Sequence, residues 1–206
     1  MKNYICRLVG VVSFLIAGIT PSFAAEQKAV FAGGCFWGVE AVYEHVKGVT
    51  AVRSGYSGGT SNSANYEDVS NGTTGHAESV EVRFDPAKVS YIQLLNIFFA
   101  VAHDPTEVNR QGPDTGTQYR SVIFYTHADQ QRAAKAFIAA LDSSKALDKP
   151  VATQVVPLVA FYAAEGHHQN YLKNNPDDSY IVHNDLPKLT ALKKKFPELY
   201  RPAPAP

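Results

Sequence analysis

Hydrophobic positions recur along the chain with two different periods, and segments of the two kinds alternate. Segments with every second residue apolar, such as ESVEVRF at residues 78–84, indicate strands with one buried face. Segments with apolar residues three and four apart, such as Val39, Val42 and Val46, indicate amphipathic helices. In chain order these patterns predict a strand in KAVFAGG, a helix that begins at or near Cys35, strands at 49–57 and 78–84, a helix at 90–102 with Ser90 as its N-cap, a strand at 117–126, a helix at 127–144, a further strand within 151–162 and a short helix at 167–174.

The order of these elements is β-α-β-β-α-β with additions, which matches the split βαβ arrangement. We therefore predict an α+β protein, a ferredoxin-like two-layer plait with C-terminal additions. In this topology the first strand lies between the third and fourth strands and is antiparallel to both. The end of strand one at Cys35, the start of strand three at Glu78 and the start of strand four at Tyr119 then meet at one edge of the sheet. The Gly/Ser/Asn-rich loop that carries Tyr66 leaves strand two at the same edge.

The first two dozen residues differ from the rest of the chain. Lys2 and Arg7 precede an apolar run from Leu8 to Ile19, and the small-residue pattern SFA follows at 22–24. This order is typical of a secretory signal peptide. The alternative, a membrane anchor, has less support because the apolar run is shorter than the ~20 residues that span a bilayer. We predict a signal peptide at 1–24 and a catalytic domain at 25–206, with export to a bacterial periplasm and no stable membrane insertion after cleavage.

Composition narrows the classes of partner. The chain has 19 Lys plus Arg and 19 Asp plus Glu, and this balance gives no support for nucleic acid or an anionic membrane surface as a ligand. Cys6 lies in the predicted signal peptide, so Cys35 is the only thiol of residues 25–206. An exported protein with one unpaired cysteine suggests a reactive thiol, although a small buried side chain is the simpler alternative.

The position of Cys35 favours a nucleophile. Unpaired N–H groups at a helix N-terminus stabilise negative charge, so we expect its thiolate to form more easily than that of a free thiol. We also expect Gly33 and Gly34 to leave the approach to the sulfur open.

Glu78 shares its strand face with Val80 and Val82, which places a carboxyl on a face that should be apolar. If the side chain is buried, desolvation raises its pKa and keeps it protonated as a general acid. Alternatively, a glutamate at a strand end turns to solvent or caps a loop, and the sequence leaves both interpretations open.

Other candidate groups are less specific. Phe36 and Trp37 provide an apolar wall beside the sulfur, or ordinary packing. Tyr66 and Tyr119 could donate hydrogen bonds to an oxygen, and Asp114 could order the loop before Tyr119 or serve as a turn residue.

The sequence predicts neither a metal nor a nucleotide cofactor. The candidate histidines are His76 and the pair His167 and His168, but they form no HExxH pattern or spaced Cys/His set. No GxGxxG or P-loop motif is present.

A family resemblance now brings these residues together. GGCFWGVE resembles the active-site motif of the A-type peptide methionine sulfoxide reductases, and the similarity continues in family order through GYSGG, NYEDV, TGHAESVEV, DPT, NRQGPDTGTQYRS and FYAAEGHHQNYL. The resemblance implies that Cys35 attacks the sulfur of the S epimer of methionine sulfoxide, free or in a protein, and that Glu78 protonates its oxygen. It further implies that Tyr66 and Tyr119 bind that oxygen and that Phe36 and Trp37 hold the S-methyl group. Asp114 matches an aspartate of the family site.

One feature departs from the commonest pattern of the family, in which recycling cysteines lie near the C-terminus. No cysteine follows Cys35, so the resemblance implies a one-cysteine enzyme whose sulfenic acid is reduced by an external thiol, from a thioredoxin-fold protein or a small molecule. We expect a monomer.

Two other classes remain open from the residues alone. A Cys-dependent hydrolase or acyltransferase would need a histidine that activates the thiol. A non-catalytic module would use Phe36, Trp37 and the tyrosines as an aromatic cage.

The N-terminal pattern generates a direct test. We expect the protein purified from its native host to begin at about Ala25 and to be recovered outside the cytoplasm, because the SFA pattern at 22–24 is followed by the first residues of the predicted domain. N-terminal sequencing of the fractionated protein measures this. An intact Met1 in the cytoplasmic fraction would contradict the prediction.

Overall fold

A computed structural model describes residues 25–202 as eight strands and six α-helices, with short 3₁₀ and π segments between them. The predicted signal peptide lies outside the described residues. The strands are β1 (Gln27–Ala32), β2 (Val49–Ser57), β3 (Ala77–Phe84), β4 (Arg110–Gln111), β5 (Asp114–Thr115), β6 (Val122–Tyr125), β7 (Gln154–Pro157) and β8 (Phe161–Ala163). The helices are α1 (Phe36–Glu44), α2 (Tyr66–Ser70), α3 (Tyr91–Ile97), α4 (Ala128–Ser144), α5 (Tyr171–Asn174) and α6 (Leu186–Lys195).

Six of the strands form one sheet in the order β7-β6-β1-β3-β2-β8. Its central part, β6-β1-β3-β2, is the split βαβ arrangement, with β1 antiparallel to both β3 and β6. The α+β fold predicted from the element order is therefore confirmed. β7 adds a parallel strand beside β6, and β8 adds an antiparallel strand beside β2.

The period-2 pattern of β1 divides its side chains between two cores. Phe31 faces the larger core, where its ring stacks on Tyr43 of α1 at 5.2 Å and on Phe98 at 5.0 Å between centroids. Val30 belongs to a smaller cluster that it forms with Val122 and other residues on the opposite face of the sheet. Burial on both faces fixes the register of β1, and hence the point at which the chain leaves the sheet toward Cys35.

The helix signals were accurate where the pattern was long. α4 begins one residue after the predicted start, and Ser90 caps α3 by accepting the Gln93 backbone N–H at 3.3 Å, while the Gln93 side chain accepts the Ser90 N–H at 2.9 Å. This reciprocal pair is a capping box. Within residues 25–202, no helix is both long and apolar enough to cross a membrane.

Three predictions for the connecting segments were wrong. The single strand expected within 151–162 is two strands, β7 and β8, which occupy opposite edges of the sheet. The fourth strand begins at Val122 and not at 117, because Thr117–Tyr119 forms a 3₁₀ turn. The loop after β2 contains α2, whose five residues are too few for a periodic signal.

The two glycines before Cys35 lie against side chains of neighbouring segments and not against open space. Gly34 has φ +90°, and a Cβ there would lie 2.6 Å from both Cβ and Cγ of Gln111. The Gln111 side chain is fixed in turn, because it accepts the Asp104 N–H at 2.9 Å and donates to the Asp104 carbonyl at 3.0 Å. The glycines therefore allow close packing under the Cys35 loop.

We expect Gly34→Ala to lower the free energy of unfolding by about 1–3 kcal/mol, because it combines positive φ with a collision against an immobile neighbour. Gly112→Ala is the matched control: Gly112 also has positive φ (+55°), but a Cβ there meets nothing within 4 Å. Urea unfolding of both variants measures the difference. Equal destabilisation would show that packing against Gln111 contributes nothing.

Candidate active site

A pocket of about 160 Å³ lies at the sheet edge predicted from the topology. All seven residues that the sequence singled out line it, together with one that it missed, Tyr180. The lining consists of Cys35, Phe36, Trp37, Tyr66, Glu78, Asp114, Tyr119 and Tyr180. A larger surface cleft of about 330 Å³ beside residues 141–150 has neither a thiol nor an aromatic side chain in its lining.

Cys35 is the N-cap residue of α1 and is only 8% exposed. Burial raises the pKa of its thiol well above the usual value, and the neighbouring Glu78 carboxyl adds to the rise, whereas a hydrogen bond from the Trp37 backbone N–H lowers it by less. The expectation of an easily formed thiolate was therefore wrong. Desolvation outweighs the helix N-terminus here, so the resting side chain is a neutral thiol.

Glu78 lies inside the protein, at 2% exposure, opposite Tyr56 on β2. Of the two interpretations that the sequence left open for Glu78, the structure therefore supports the buried carboxyl. Its Oε2 accepts the Phe36 backbone N–H at 3.0 Å, which ties β3 to the first turn of α1. Burial raises the pKa of Glu78 to about 8, and the bond from Phe36 lowers it only in part. At neutral pH the carboxyl therefore carries a proton.

The two predicted tyrosines reach the pocket from different elements. Tyr66 begins α2 and is 37% exposed, and Tyr119 ends the 3₁₀ turn before β6. Burial raises the pKa of both hydroxyls, and the nearby Glu78 carboxyl contributes to each. Both side chains are protonated at neutral pH and can donate hydrogen bonds.

Aromatic side chains build the opposite wall. The Trp37 ring stacks on Tyr171 with centroids 3.6 Å apart and planes 7° apart. Its indole N–H donates to Nδ1 of His168 at 3.2 Å, so neutral His168 carries its proton on Nε2. Sequence reasoning missed Tyr171 and considered His168 only as a metal ligand, because the contacts of both with Trp37 span more than 130 residues of chain.

A buried carboxyl on α1, the helix that Cys35 caps, positions this wall. Oε2 of Glu40 on α1 accepts the Asn170 N–H at 2.9 Å. Asn170 has φ +54° and directly precedes α5, which begins with Tyr171. This contact places the Tyr171 ring over Trp37.

Asp114 is more than a turn residue, because its side chain makes a hydrogen bond in the pocket. Its Oδ2 accepts a hydrogen bond from the Tyr180 hydroxyl, and the Tyr180 ring meets Trp37 edge-on at 5.9 Å. Asp114 thereby connects the β4-β5 hairpin to the aromatic wall.

Two of the histidines considered as metal ligands, His76 and His168, have other hydrogen-bond partners. Within residues 25–202, no group of three or more His, Cys, Asp and Glu side chains could hold a metal ion. The ring of His76 accepts the Gly59 N–H at 3.2 Å and contacts the Thr60 carbonyl at 2.9 Å.

Comparison with known proteins gives the family. Residues 27–200 match the family model described as peptide methionine sulfoxide reductase. Among curated relatives, MsrA 2 of Mesorhizobium japonicum is 52% identical over 179 residues, covering 87% of this chain and 92% of the relative. MsrA 2 of Synechocystis sp. is 54% identical over 178 residues, covering 86% of this chain and 83% of the relative. Both carry the name peptide methionine sulfoxide reductase.

Solved structures agree. Reduced Mxr1 from Saccharomyces cerevisiae superposes with a TM-score of 0.68 at 31% identity, covering 77% of this chain and 89% of that one. Methionine sulfoxide reductase A of Corynebacterium diphtheriae gives 0.66 at 31% identity, with coverage of 79% and 81%. This chain belongs to the peptide methionine sulfoxide reductases, and within them to the A type. Its reaction is the reduction of the S epimer of methionine sulfoxide to methionine.

The burial of Glu78 predicts how stability changes with pH. Its pKa is raised in the folded state, so the folded protein loses stability as pH rises from the unfolded value, about 4.5, through about 8. Glu78→Gln does not titrate. We expect the free energy of unfolding of this variant, relative to that of the natural protein, to increase by on the order of 2–4 kcal/mol between pH 5 and pH 9.

Urea unfolding of both proteins at pH 5, 7 and 9 measures the difference. Glu40 is also buried with its pKa raised to about 8, but it is present in both proteins and cancels. Glu67→Gln removes an exposed carboxyl from α2 and is the control. A pH-independent gap between Glu78→Gln and the natural protein would mean that Glu78 is ionised throughout.

Proposed function

We propose that Cys35 is the nucleophile of this reductase, that Glu78 is its proton donor, and that an external thiol regenerates it outside the cytoplasm. The observation that carries the proposal is the pairing of a buried thiol with a buried, protonated carboxyl in one pocket. Two protonated tyrosines complete that pocket.

The oxygen of the sulfoxide is bound by hydroxyl donors. Tyr66 and Tyr119 donate to it, and Glu78 lies near enough in the same pocket to transfer a proton as the S–O bond weakens. A protonated oxygen makes the sulfoxide sulfur a better electrophile. The neutral state of these three groups avoids repulsion with the partial negative charge of the oxygen.

The raised pKa of Cys35 fits a proton relay. Glu78 gives its proton to the sulfoxide oxygen and, as a carboxylate, takes the proton of the Cys35 thiol while Sγ attacks the substrate sulfur. The hydroxyl then passes to Sγ and methionine leaves as the thioether. Cys35 has become a sulfenic acid, Glu78 is again protonated, and the two electrons have moved from Cys35 to the substrate.

The methyl group of the substrate needs an apolar position. Phe36 is fully buried beside the sulfur, and its ring lies 6.4 Å from that of Trp37. These two side chains hold the S-methyl group, and the Asp114–Tyr180 contact supports Trp37 from the side.

Regeneration requires another molecule, because residues 25–206 contain no second cysteine. A thiol attacks the sulfenic acid, forming a mixed disulfide and releasing water, and a second thiol then releases Cys35. A thioredoxin-fold protein or a small thiol supplies both sulfurs. We further propose cleavage of the signal peptide at 1–24 and a periplasmic location, supported by the charge and hydrophobic pattern of that segment.

The geometry does not favour the alternative classes. A Cys-dependent hydrolase needs a histidine base at the sulfur, but no histidine lines the described pocket. Nδ1 of His168 is already bound to the indole of Trp37. An aromatic cage for a cation has no use for a protonated Glu78.

A single-turnover experiment tests the mechanism. Without reductant, the natural protein should form one equivalent of methionine per chain, and a sulfenic-acid probe should label Cys35 alone, because no internal thiol is available. Cys35→Ser should form none. Glu78→Gln should form the same equivalent about 10²- to 10⁴-fold more slowly, which is the usual contribution of one general acid.

Mass spectrometry of the product and of the labelled enzyme gives these values, and added thiol should restore turnover. Formation of two equivalents of methionine per chain would refute the one-cysteine mechanism. An unchanged rate of methionine formation in Glu78→Gln at neutral pH would refute the assignment of Glu78 as the acid.

A further inference from the structure

Glu165 lies just outside the pocket, between β8 and the 3₁₀ turn Gly166–His168. Its Oε1 accepts the backbone N–H of Tyr66 at 2.9 Å. That N–H is the first of helix α2 and has no partner within the helix. Its Oε2 accepts the hydroxyl of Tyr56 at 2.8 Å. One carboxylate therefore joins α2, which carries Tyr66, to the fully buried Tyr56 of β2.

The backbone fixes Glu165 itself. The neighbouring Ala164 N–H donates to the Ser54 carbonyl at 2.9 Å, and β8 pairs with β2, with Tyr162 opposite Tyr56. Partial burial raises the pKa of Glu165, but the hydrogen bonds from Tyr66 and Tyr56 outweigh this effect, so the pKa lies below its usual value. The side chain is thus a carboxylate that accepts hydrogen bonds at both oxygens.

The same carboxylate faces the aromatic wall. Nε2 of His168 lies 4.0 Å from Oε2 of Glu165, within electrostatic reach though too far for a good hydrogen bond. The His168 ring lies 4.4 Å from Tyr66 and 5.2 Å from Phe36, and its Nδ1 accepts the indole N–H of Trp37. Glu165 is therefore connected to the oxygen-binding side through Tyr66 and to the methyl-binding side through His168.

We propose that Glu165 is a positioning residue that determines how strongly the enzyme discriminates between the two epimers of methionine sulfoxide. This inference rests on the proposed function, in which Tyr66 binds the oxygen and Phe36 and Trp37 hold the methyl group.

The stereochemistry of the substrate provides the reason. The two epimers differ at sulfur by the exchange of two substituents, so an epimer placed with its methyl group in the apolar position directs its oxygen correctly in only one case. Selectivity then requires a fixed separation between the hydroxyl of Tyr66 and the wall formed by Phe36 and Trp37. Tyr66 is partly exposed on a five-residue helix, which by itself would hold that separation poorly. Glu165 supplies the missing constraint.

Trp37 offers a direct measurement, since it is the only tryptophan of the chain and lines the pocket. In a Cys35→Ser background, which cannot react, titration of its fluorescence gives the dissociation constants of the S and R epimers. We expect Glu165→Gln to weaken binding of the S epimer. The selectivity ratio, which is the dissociation constant of the R epimer divided by that of the S epimer, should fall by about 5- to 20-fold, as for the loss of a charge-assisted hydrogen bond. In the Cys35 enzyme, kcat/KM for the S epimer should fall by a similar factor.

Two further variants make the test specific. Glu67→Gln removes a carboxyl from the first turn of the same helix and should leave the ratio unchanged. Tyr56→Phe removes the bond to Oε2 but keeps the one to Tyr66, and should lower the ratio by less than Glu165→Gln does.

Equal weakening of both epimers, or an unchanged ratio in Glu165→Gln, would overturn the inference while the reductase activity of the natural protein stands. Absence of that activity in the natural protein, with Glu165 intact, would instead refute the proposed function.

Discussion

Burial of the Glu78 carboxyl beside the Cys35 thiol is the constraint around which the site is built. An ionised carboxylate at this depth would be costly, so the group stays protonated, and its one hydrogen bond from the Phe36 N–H fixes β3 against the start of α1. The same desolvation keeps the thiol neutral. In the proposed mechanism neither group reacts alone, because the substrate oxygen that accepts the Glu78 proton also creates the base for Cys35.

This constraint explains the character of the surrounding residues. Hydroxyl donors and aromatic rings line the pocket, and within the described lining the only other carboxyl, Asp114, accepts a hydrogen bond from Tyr180. A cation there would lower the pKa of Glu78 and favour its ionised form, whereas the nearby Asp114 raises that pKa. Residues 25–206 also contain no methionine, so the domain carries none of the side chains that it repairs, which suits an enzyme that works where oxidants are present.

Much of the fold follows from local pattern. The alternation of β3, the boundaries of β2 and the N-cap of α3 at Ser90 were all readable, because each rests on side-chain periodicity or on contacts within a few residues. β7 and β8 were not separated, since their placement at opposite edges of the sheet depends on which partner strand has an open edge. α2 is too short for a period, and α6, near the C-terminus, was not predicted.

The candidate site divides in the same way. Cys35, Glu78 and the aromatic pair could be identified from motif and strand parity, and the split βαβ order alone brought Tyr66 and Tyr119 to their edge of the sheet. The protonation state of Cys35 could not be predicted from the sequence. A helix N-terminus is visible in the sequence, whereas the degree of desolvation depends on the whole packed environment. For the same reason Tyr180, Tyr171 and Glu165 escaped notice: their partners lie 66 to 134 residues away along the chain, and only the folded protein brings them into contact.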